Sequence, residues 1–589
     1  MRHIEDPRQH RLFDPFANVF SDLARRRVET QWYGVFRHVI LDALDRPVVA
    51  LATHFCPDNG TPTKELYSMA GLLLIKEFMG WTAEQAADAY MFHAAVQYAL
   101  NLEPSGQEMC RRTIQRYEKL FVDDEIAAVV MSEVTARLRD ELDVRVERQR
   151  LDSTHVFSNM ATFARTRLMG VTIKRFLTQV KRHDALAYAA LPPALRERYE
   201  PSQGQLFGYA NTKEARRRLR QEVAEDMCYL VERFAADPTM RGRKTYKDLV
   251  RVFEQQCEVK REKVEVEGED PGPPSVTVRD KTGGDVIQNP SDPDATLDGH
   301  KGPGYKVQLS ETCSPDNPVQ LIVAAIPQTA VEADGPSLEP VVEALEDEGA
   351  TPKELLADGA YGSDENAQTC ADRGIALVSP ASSGVPKDTE PKADRLAEFE
   401  LDPETGEVSR CPAGHAPLHS SYDAKKETVH LSMAGAVCES CPDRATCPVQ
   451  RRRKRYVAHF TRKRWRLSLR RRNEQTDEFG HRYRLRGGIE STNSGLKRRV
   501  GLGRLRVRGA ARVFHAIRMK CAGWNILRAA SVATLPKKAA AVLAHARTAR
   551  RFDAIARCLT HLSALFLPPR LCSAPTTRRS LHWISCHPE

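Results

Sequence analysis

The hydrophobic period changes near Gly304, and this change limits the fold of the 589-residue chain more than any other feature. Before it, apolar residues such as Leu66, Met69, Leu73 and Phe78 recur on a helical spacing. After it, Tyr305-Lys306-Val307-Gln308-Leu309 alternates as a strand does, and 319–325 is a short apolar strand. Residues 336–348 read as a helix, and 354–357 as a strand that stops at Asp358-Gly359. Ser363 caps a helix that Gly374 ends, and 375–378 is another buried strand. An extended stretch ending near Leu151-Asp152-Ser153-Thr154-His155-Val156 precedes them all. Strand, strand, strand, helix, strand, helix, strand is the order of a mixed sheet with covering helices, an α/β core.

A chain this long exceeds one core, so roughly three to four domains are expected. Residues 1–145 read as helical. Thr63 is the expected cap of the first clear helix, and Thr82 with Gln85 and Ser105 with Glu108 form capping boxes for the next two. The third carries Arg111, Arg112, Arg116 and Lys119, which suits a DNA-binding helix-turn-helix and a plain bundle with a charged face equally well. Residues 146–160 and 304–380 form the sheet core, split by a helical insert and linker over 161–303. A cysteine-containing insert spans 381–450, a basic helical part of the core 451–530, and a basic tail without assigned role 531–589. No apolar run is long enough to span a bilayer, and the N-terminus lacks the apolar stretch of a secretory signal. A cytoplasmic protein with no membrane partner is expected.

Charge is unevenly spread. The net charge is +10, yet 451–528 alone carries 25 basic against 4 acidic side chains, so the first 450 residues are net acidic. Tyr456, Phe460, Trp465 and Tyr483 are interleaved with the arginines. Dense arginine with aromatics points to nucleic acid rather than to a merely solvated face.

Three acids stand where chemistry on a nucleic acid needs them. Asp152 lies in or at the end of the first strand, Asp358 at the C-terminal end of another, and Glu490 on a helix in the basic block. Sites in open α/β sheets form just beyond such strand ends. On one continuous helix, Tyr483, Arg486, Glu490 and Lys497 share a stripe. Gly487-Gly488 opposes that helix by roughly 2 kcal/mol, so it can instead start near Gly488; the glycines can also admit a DNA backbone. Carboxylates gathered this way suit two Mg²⁺ (or Mn²⁺) ions, which assist in-line attack on a phosphodiester.

At this point the sequence resembles a known family. Tyr483-x-x-Arg486-x-x-x-Glu490-x-x-x-x-x-x-Lys497 is similar to the Y-R-E-K pattern of the insertion-sequence-four-like DDE transposases. Leu151-Asp152-Ser153-Thr154 and Leu356-Ala357-Asp358-Gly359-Ala360-Tyr361-Gly362 resemble the segments carrying that family's two aspartates. The two inserts look like its bacterial eleven-eighty-two type. The resemblance implies an RNase-H-like catalytic core in which Asp152, Asp358 and Glu490 bind two Mg²⁺. It implies that Tyr483, Arg486 and Lys497 handle DNA phosphates. It further implies cleavage of double-stranded DNA at the ends of a mobile element, transfer of the freed strand to target DNA, and a homodimer on DNA. Two other readings stand beside it: a catalytically inactive DNA-binding protein derived from a transposase, and a metal-dependent nuclease without strand transfer.

Cys411, Cys438, Cys441 and Cys447 form a separate motif. Cys438-x-x-Cys441 has zinc-ligand spacing, and Cys411 and Cys447 can complete a tetrahedral structural Zn²⁺ site, with His415 as the substitute for Cys411. The insert around them offers few large apolar residues, so a metal would supply order there. Free thiols in a loop are the alternative.

Overall fold

The computed structural model describes residues 1–9, 14–201, 206–207, 212–260, 275–382 and 391–532, with only the backbone described for 391–394. The basic tail, apart from 531–532, lies outside the described residues.

Five strands build the central sheet: β1 (Arg148–Val156), β2 (Gly302–Thr312), β3 (Ile322–Thr329), β4 (Glu354–Ala357) and β5 (Ala376–Val378). Their order is β3-β2-β1-β4-β5, and a short strand, Thr296–Asp298, also pairs with the start of β2. β1–β2 and β2–β3 are antiparallel, whereas β1–β4 and β4–β5 are parallel. The mixed α/β sheet expected from the change in period is therefore present. The central strand β1 is buried on both faces, as a strand covered from two sides must be. Leu151 and Val323 point to one face, against Leu338, Val341 and Leu345 of the helix Leu338–Asp347. Tyr305, Val307 and Leu309 point to the other.

That second face joins a core shared with the N-terminal helices. Leu66–Met79 and Ile126–Leu142 pack with Ala510–Ala529 over β2 and β3 in one apolar cluster. At Gly523 a side chain would start 2.1 Å from Phe78 Cβ, so glycine permits the helices Leu66–Met79 and Ala510–Ala529 to touch. The helical insert has its own cluster, in which Phe176, Met227, Leu249 and Val252 are buried. No helix among the described residues is long and apolar enough to cross a membrane.

Local signals fared unevenly. The Thr82–Gln85 capping box forms, with reciprocal bonds of 3.1 and 2.9 Å. Thr63 does not cap. The N-cap is Glu65, whose carboxylate accepts from the Tyr67 and Ser68 amides at 2.9 and 2.6 Å, while Thr63 Oγ1 accepts from His3 N. The box expected at Ser105 is also absent: that helix, Arg111–Asp123, starts after Cys110 without a side-chain cap. A carboxylate meets exposed helix amides as well as a hydroxyl does, so spacing alone picks the wrong residue.

The cysteine module also differs from expectation. It contains a four-stranded antiparallel sheet formed by His419–Asp423, Thr428–Ala434, Gln450–Arg452 and Arg455–Thr461. Residues 451–461, expected to open the basic helical part, thus belong to two strands and the turn between them; the helix begins at Arg462. Tyr456, Ala458 and Phe460 alternate inward, a period of two that the surrounding arginines conceal. With Phe399, Val429, Leu431 and Met433 they form a small core, so the module does not depend on a metal for want of apolar residues.

Candidate active site

The sheet register brings the two aspartates together. β1 and β4 run parallel with Leu151 beside Ala357, so the next residues, Asp152 and Asp358, leave neighbouring strands side by side. Asp152 pairs in register with Leu309 of β2 and so faces the shared core and the helix Gly488–Arg499. Asp358 sits in the turn after β4. Its Oδ1 accepts from Ala360 N at 2.9 Å, and its carbonyl accepts from Ser379 Oγ at 2.6 Å.

Glu490 lies in the first turn of Gly488–Arg499. The break foreseen at the glycines is real: Asp477–Tyr483 is one helix, Arg484–Gly487 a tighter 3₁₀ turn, and the glutamate helix starts at Gly488. A Cβ on Gly488 would stand 1.9 Å from Arg150 Nη1, whereas one on Gly487 would meet nothing within 4 Å. Gly488 therefore makes room for a guanidinium of the protein itself.

Arg486 ties the three acids into one site. Its Nη2 is 3.6 Å from Asp152 Oδ1 and 3.7 Å from Asp358 Oδ2, and its Nη1 is 3.7 Å from Glu490 Oε1. The side chains of Asp152 and Arg486 are 13% and 17% exposed, and that of Glu490 65%, so the site opens to solvent on the glutamate side. Burial raises the Asp152 carboxyl to about 6; Arg486 opposes the rise, and Glu490 and Asp358 add to it. One guanidinium does not satisfy three converging carboxylates.

Tyr483 is half-buried, stacks on Phe479 at 5.4 Å and packs near Leu356 and Val378. Partial burial of the Lys497 ammonium and the nearby Lys301 lower its pKa, while Asp152 and Glu490 act the other way. All six residues marked by the acid and Y-R-E-K patterns thus lie around the C-terminal ends of the inner strands β1 and β4. His155, on the opposite side of β1 from Asp152, is buried, and that burial lowers its pKa. His300 donates its amide to Asp298 in a turn.

Residues without an obvious sequence signal hold this arrangement. Asn493 Nδ2 donates to Asp152 Oδ2 at 3.1 Å; it lies one helical turn beyond Glu490, and the Glu-x-x-Asn spacing was the only hint. Beneath the glutamate helix lies Glu311 of β2, fully buried. It accepts from Arg150 at 2.6 Å, Arg528 at 2.5 Å and Thr492 Oγ1 at 2.7 Å. Arg150 also donates to the Leu485 carbonyl at 3.0 Å. This network fastens β1, β2, the glutamate helix and the last described helix to one another.

The basic block is not one surface. Arg466 grips the buried Asp364 at 2.6 Å, and Arg470 donates to the carbonyls of Gly362, Ser363 and Ser379 at 2.9–3.0 Å. These two arginines latch the helix Arg462–Glu474 onto the turn carrying Asp358. The aromatics taken as nucleic-acid contacts are partly structural as well: Tyr456 and Phe460 are buried, and Trp465 donates to the Phe399 carbonyl.

Cys411, Cys438, Cys441 and Cys447 line one small cavity with His415, and all four are free thiols. Burial and the other three thiols push Cys438 up to about 11. Among the described residues, no three His, Cys, Asp or Glu side chains already stand as a metal shell, in this cavity or around Arg486.

Residues 410–530 match the family model of the transposase DDE domain. The matched segment holds the four cysteines, Tyr483, Arg486, Glu490 and Lys497, and stops short of both aspartates. Over that segment the chain is similar to DDE transposases. No curated protein matches the sequence. A solved structure, described as the cryo-EM structure of piggyBac transposase synaptic complex with hairpin DNA, aligns at 12% identity over 78% of this chain and 86% of that one. Its TM-score is 0.21, and a likeness of that size bears on neither fold nor function.

Proposed function

We propose that the protein is a DDE transposase that cleaves double-stranded DNA at the ends of a mobile element and transfers the freed strand to target DNA. One observation carries the reading: Asp152, Asp358 and Glu490, from three distant parts of the chain, lie within 3.7 Å of the single guanidinium of Arg486. The β3-β2-β1-β4-β5 order, antiparallel on one side of β1 and parallel on the other, supports an RNase-H-like core.

The donor set suits Mg²⁺ or Mn²⁺. It is all oxygen, net negative and open on one side, with three carboxylates sharing one guanidinium, and burial first, then the neighbouring acids, raises the Asp152 carboxyl. Asp152, Asp358 and Glu490 would hold two such ions, which when bound activate the attacking oxygen and steady the leaving one. The protein's own residues do the rest. Asn493 fixes the orientation of Asp152, Arg486 and Lys497 attract the phosphates on either side of the reacting bond, and Tyr483 walls the site. Two element ends must meet, so the active form in this reading is a pair of copies on DNA. We also assign Cys411, Cys438, Cys441 and Cys447 to a structural Zn²⁺, supported by their shared cavity and by the Cys-x-x-Cys spacing. Four thiolates leave that ion no open position for catalysis.

Strand transfer distinguishes this reading from a nuclease. A pre-nicked end duplex incubated with Mg²⁺ and plasmid should yield joined product. Cutting without joining, under conditions where both ends are supplied, would leave only the nuclease.

A further inference from the structure

Several cations of the basic block have no acidic partner among the described residues, and four of them gather at one cleft. Arg498, Arg499, Arg504 and Arg506 are exposed, and among the described residues none has an acidic partner. All four line a cleft of about 350 Å³ whose far wall is the Gly80-Trp81 turn. The one acid in its walls, Glu77, is already spoken for. It pairs with Lys76 at 2.6 Å and is held well down, to about 2, while its carbonyl accepts from Lys520. The cleft is therefore strongly positive, with a half-buried indole along one side.

The cleft is built from the same elements as the carboxylate site. Arg498 and Arg499 lie on the glutamate helix, about 12 Å along its axis from Glu490. Past Gly501 the chain turns back and runs beside the end of β1: Phe157 N donates to Gly503 O at 3.0 Å, Leu505 N to Phe157 O at 2.8 Å, and Asn159 N to Val507 O at 2.9 Å. Leu505 is buried, so Arg504 and Arg506 project to the opposite side, about 7 Å apart. Lys497 packs against Gly503 and bridges the two regions. A row of cations thus runs from the carboxylates to the cleft on a rigid backbone.

We propose that this cleft, between the Gly80-Trp81 turn and the segment 498–508, seats the phosphodiester backbone of duplex DNA next to the stretch that enters the carboxylate site. The identity of the polyanion rests on the transposase reading; the site itself rests on the unpaired arginines and the cleft. Trp81 lies against the bound strand and reports its arrival.

The test is binding of a fluorescent duplex of arbitrary sequence to the full chain, without divalent metal, over a series of salt concentrations. Each arginine that neutralises a phosphate contributes about 0.9 to the slope of log K against log salt, so Arg504→Gln with Arg506→Gln should lower the slope by about 1.8. Lys425→Gln with Lys426→Gln, on an exposed loop of the cysteine module, should leave it unchanged. Duplex binding should also change the tryptophan fluorescence, and Trp81→Phe should abolish most of that change. A wild-type slope in the arginine pair, with the fold intact by circular dichroism, would overturn the cleft assignment while leaving cleavage and the transposase reading standing. Absence of duplex binding by the wild type at low salt, or binding only to anionic vesicles, would overturn both.

Discussion

Replacing Asp152 by Asn should make the metal-free protein more stable at neutral pH. Asp152 is buried beside two other carboxylates, and its carboxyl titrates near 6 instead of 3.8. A folded-state pKa above the unfolded one means that the native state binds its proton more tightly. Stability is therefore lost as pH rises from about 4 to about 6, and the loss is complete above that. Each unit is worth about 1.4 kcal/mol, so the full penalty is on the order of 3 kcal/mol. Asparagine has the same shape, carries no charge and keeps an oxygen for Asn493. The assay is urea unfolding in chelator, wild type against Asp152→Asn, at pH 4 and pH 7.5. The two midpoints should nearly coincide at pH 4, and the variant should lie higher at pH 7.5. Millimolar Mg²⁺ should stabilise only the wild type and narrow the gap. A variant equally destabilised at both pH values would show that the carboxylate is satisfied by Arg486 and Asn493, and the argument for a shortage of positive charge would fail.

Other expectations follow from the same structure. Glu311→Gln leaves the Arg150 and Arg528 guanidiniums without their buried counter-charge and should lose about 3–5 kcal/mol, read by thermal melting. Gly488→Ala places a methyl group 1.9 Å from Arg150 Nη1 and should displace the glutamate helix, with cleavage falling more than duplex binding does. Protein from zinc-replete growth should contain about one Zn²⁺ per chain by elemental analysis. Cys438→Ser with Cys441→Ser should lose it and become protease-sensitive within 410–461; zinc-free wild type with an unaltered digestion pattern would refute that site.

Much of the candidate site was legible in the sequence because its residues sit at ends and edges. Asp358 announces itself as a polar residue closing an apolar strand, and Glu490 by the cations around it. What the linear chain hides is register. Nothing in 148–156 or 354–357 says that Leu151 will lie beside Ala357, yet that pairing puts the two aspartates together. Buried polar networks are hidden for the same reason: Arg150, Glu311, Thr492 and Arg528 look like surface residues until the fold assembles them. The strand Arg455–Thr461 was lost because arginines mask an alternation carried by only three inward side chains. The N-terminal helices read as a unit of their own, but their apolar faces close over β2 and β3, a long-range choice that helical periodicity does not encode.

The central claim is that Asp152, Asp358 and Glu490 form one catalytic unit acting on DNA. Its most direct test is cleavage of a duplex carrying the element's own end, taken from the DNA flanking the gene, with Mg²⁺, by wild type and Glu490→Gln. Glu490 is the most exposed of the three acids, so the variant should fold and bind the duplex as the wild type does. The account predicts metal-dependent cutting at the end by wild type and none by the variant. Equal cutting by both, or binding without cutting by both, would contradict it.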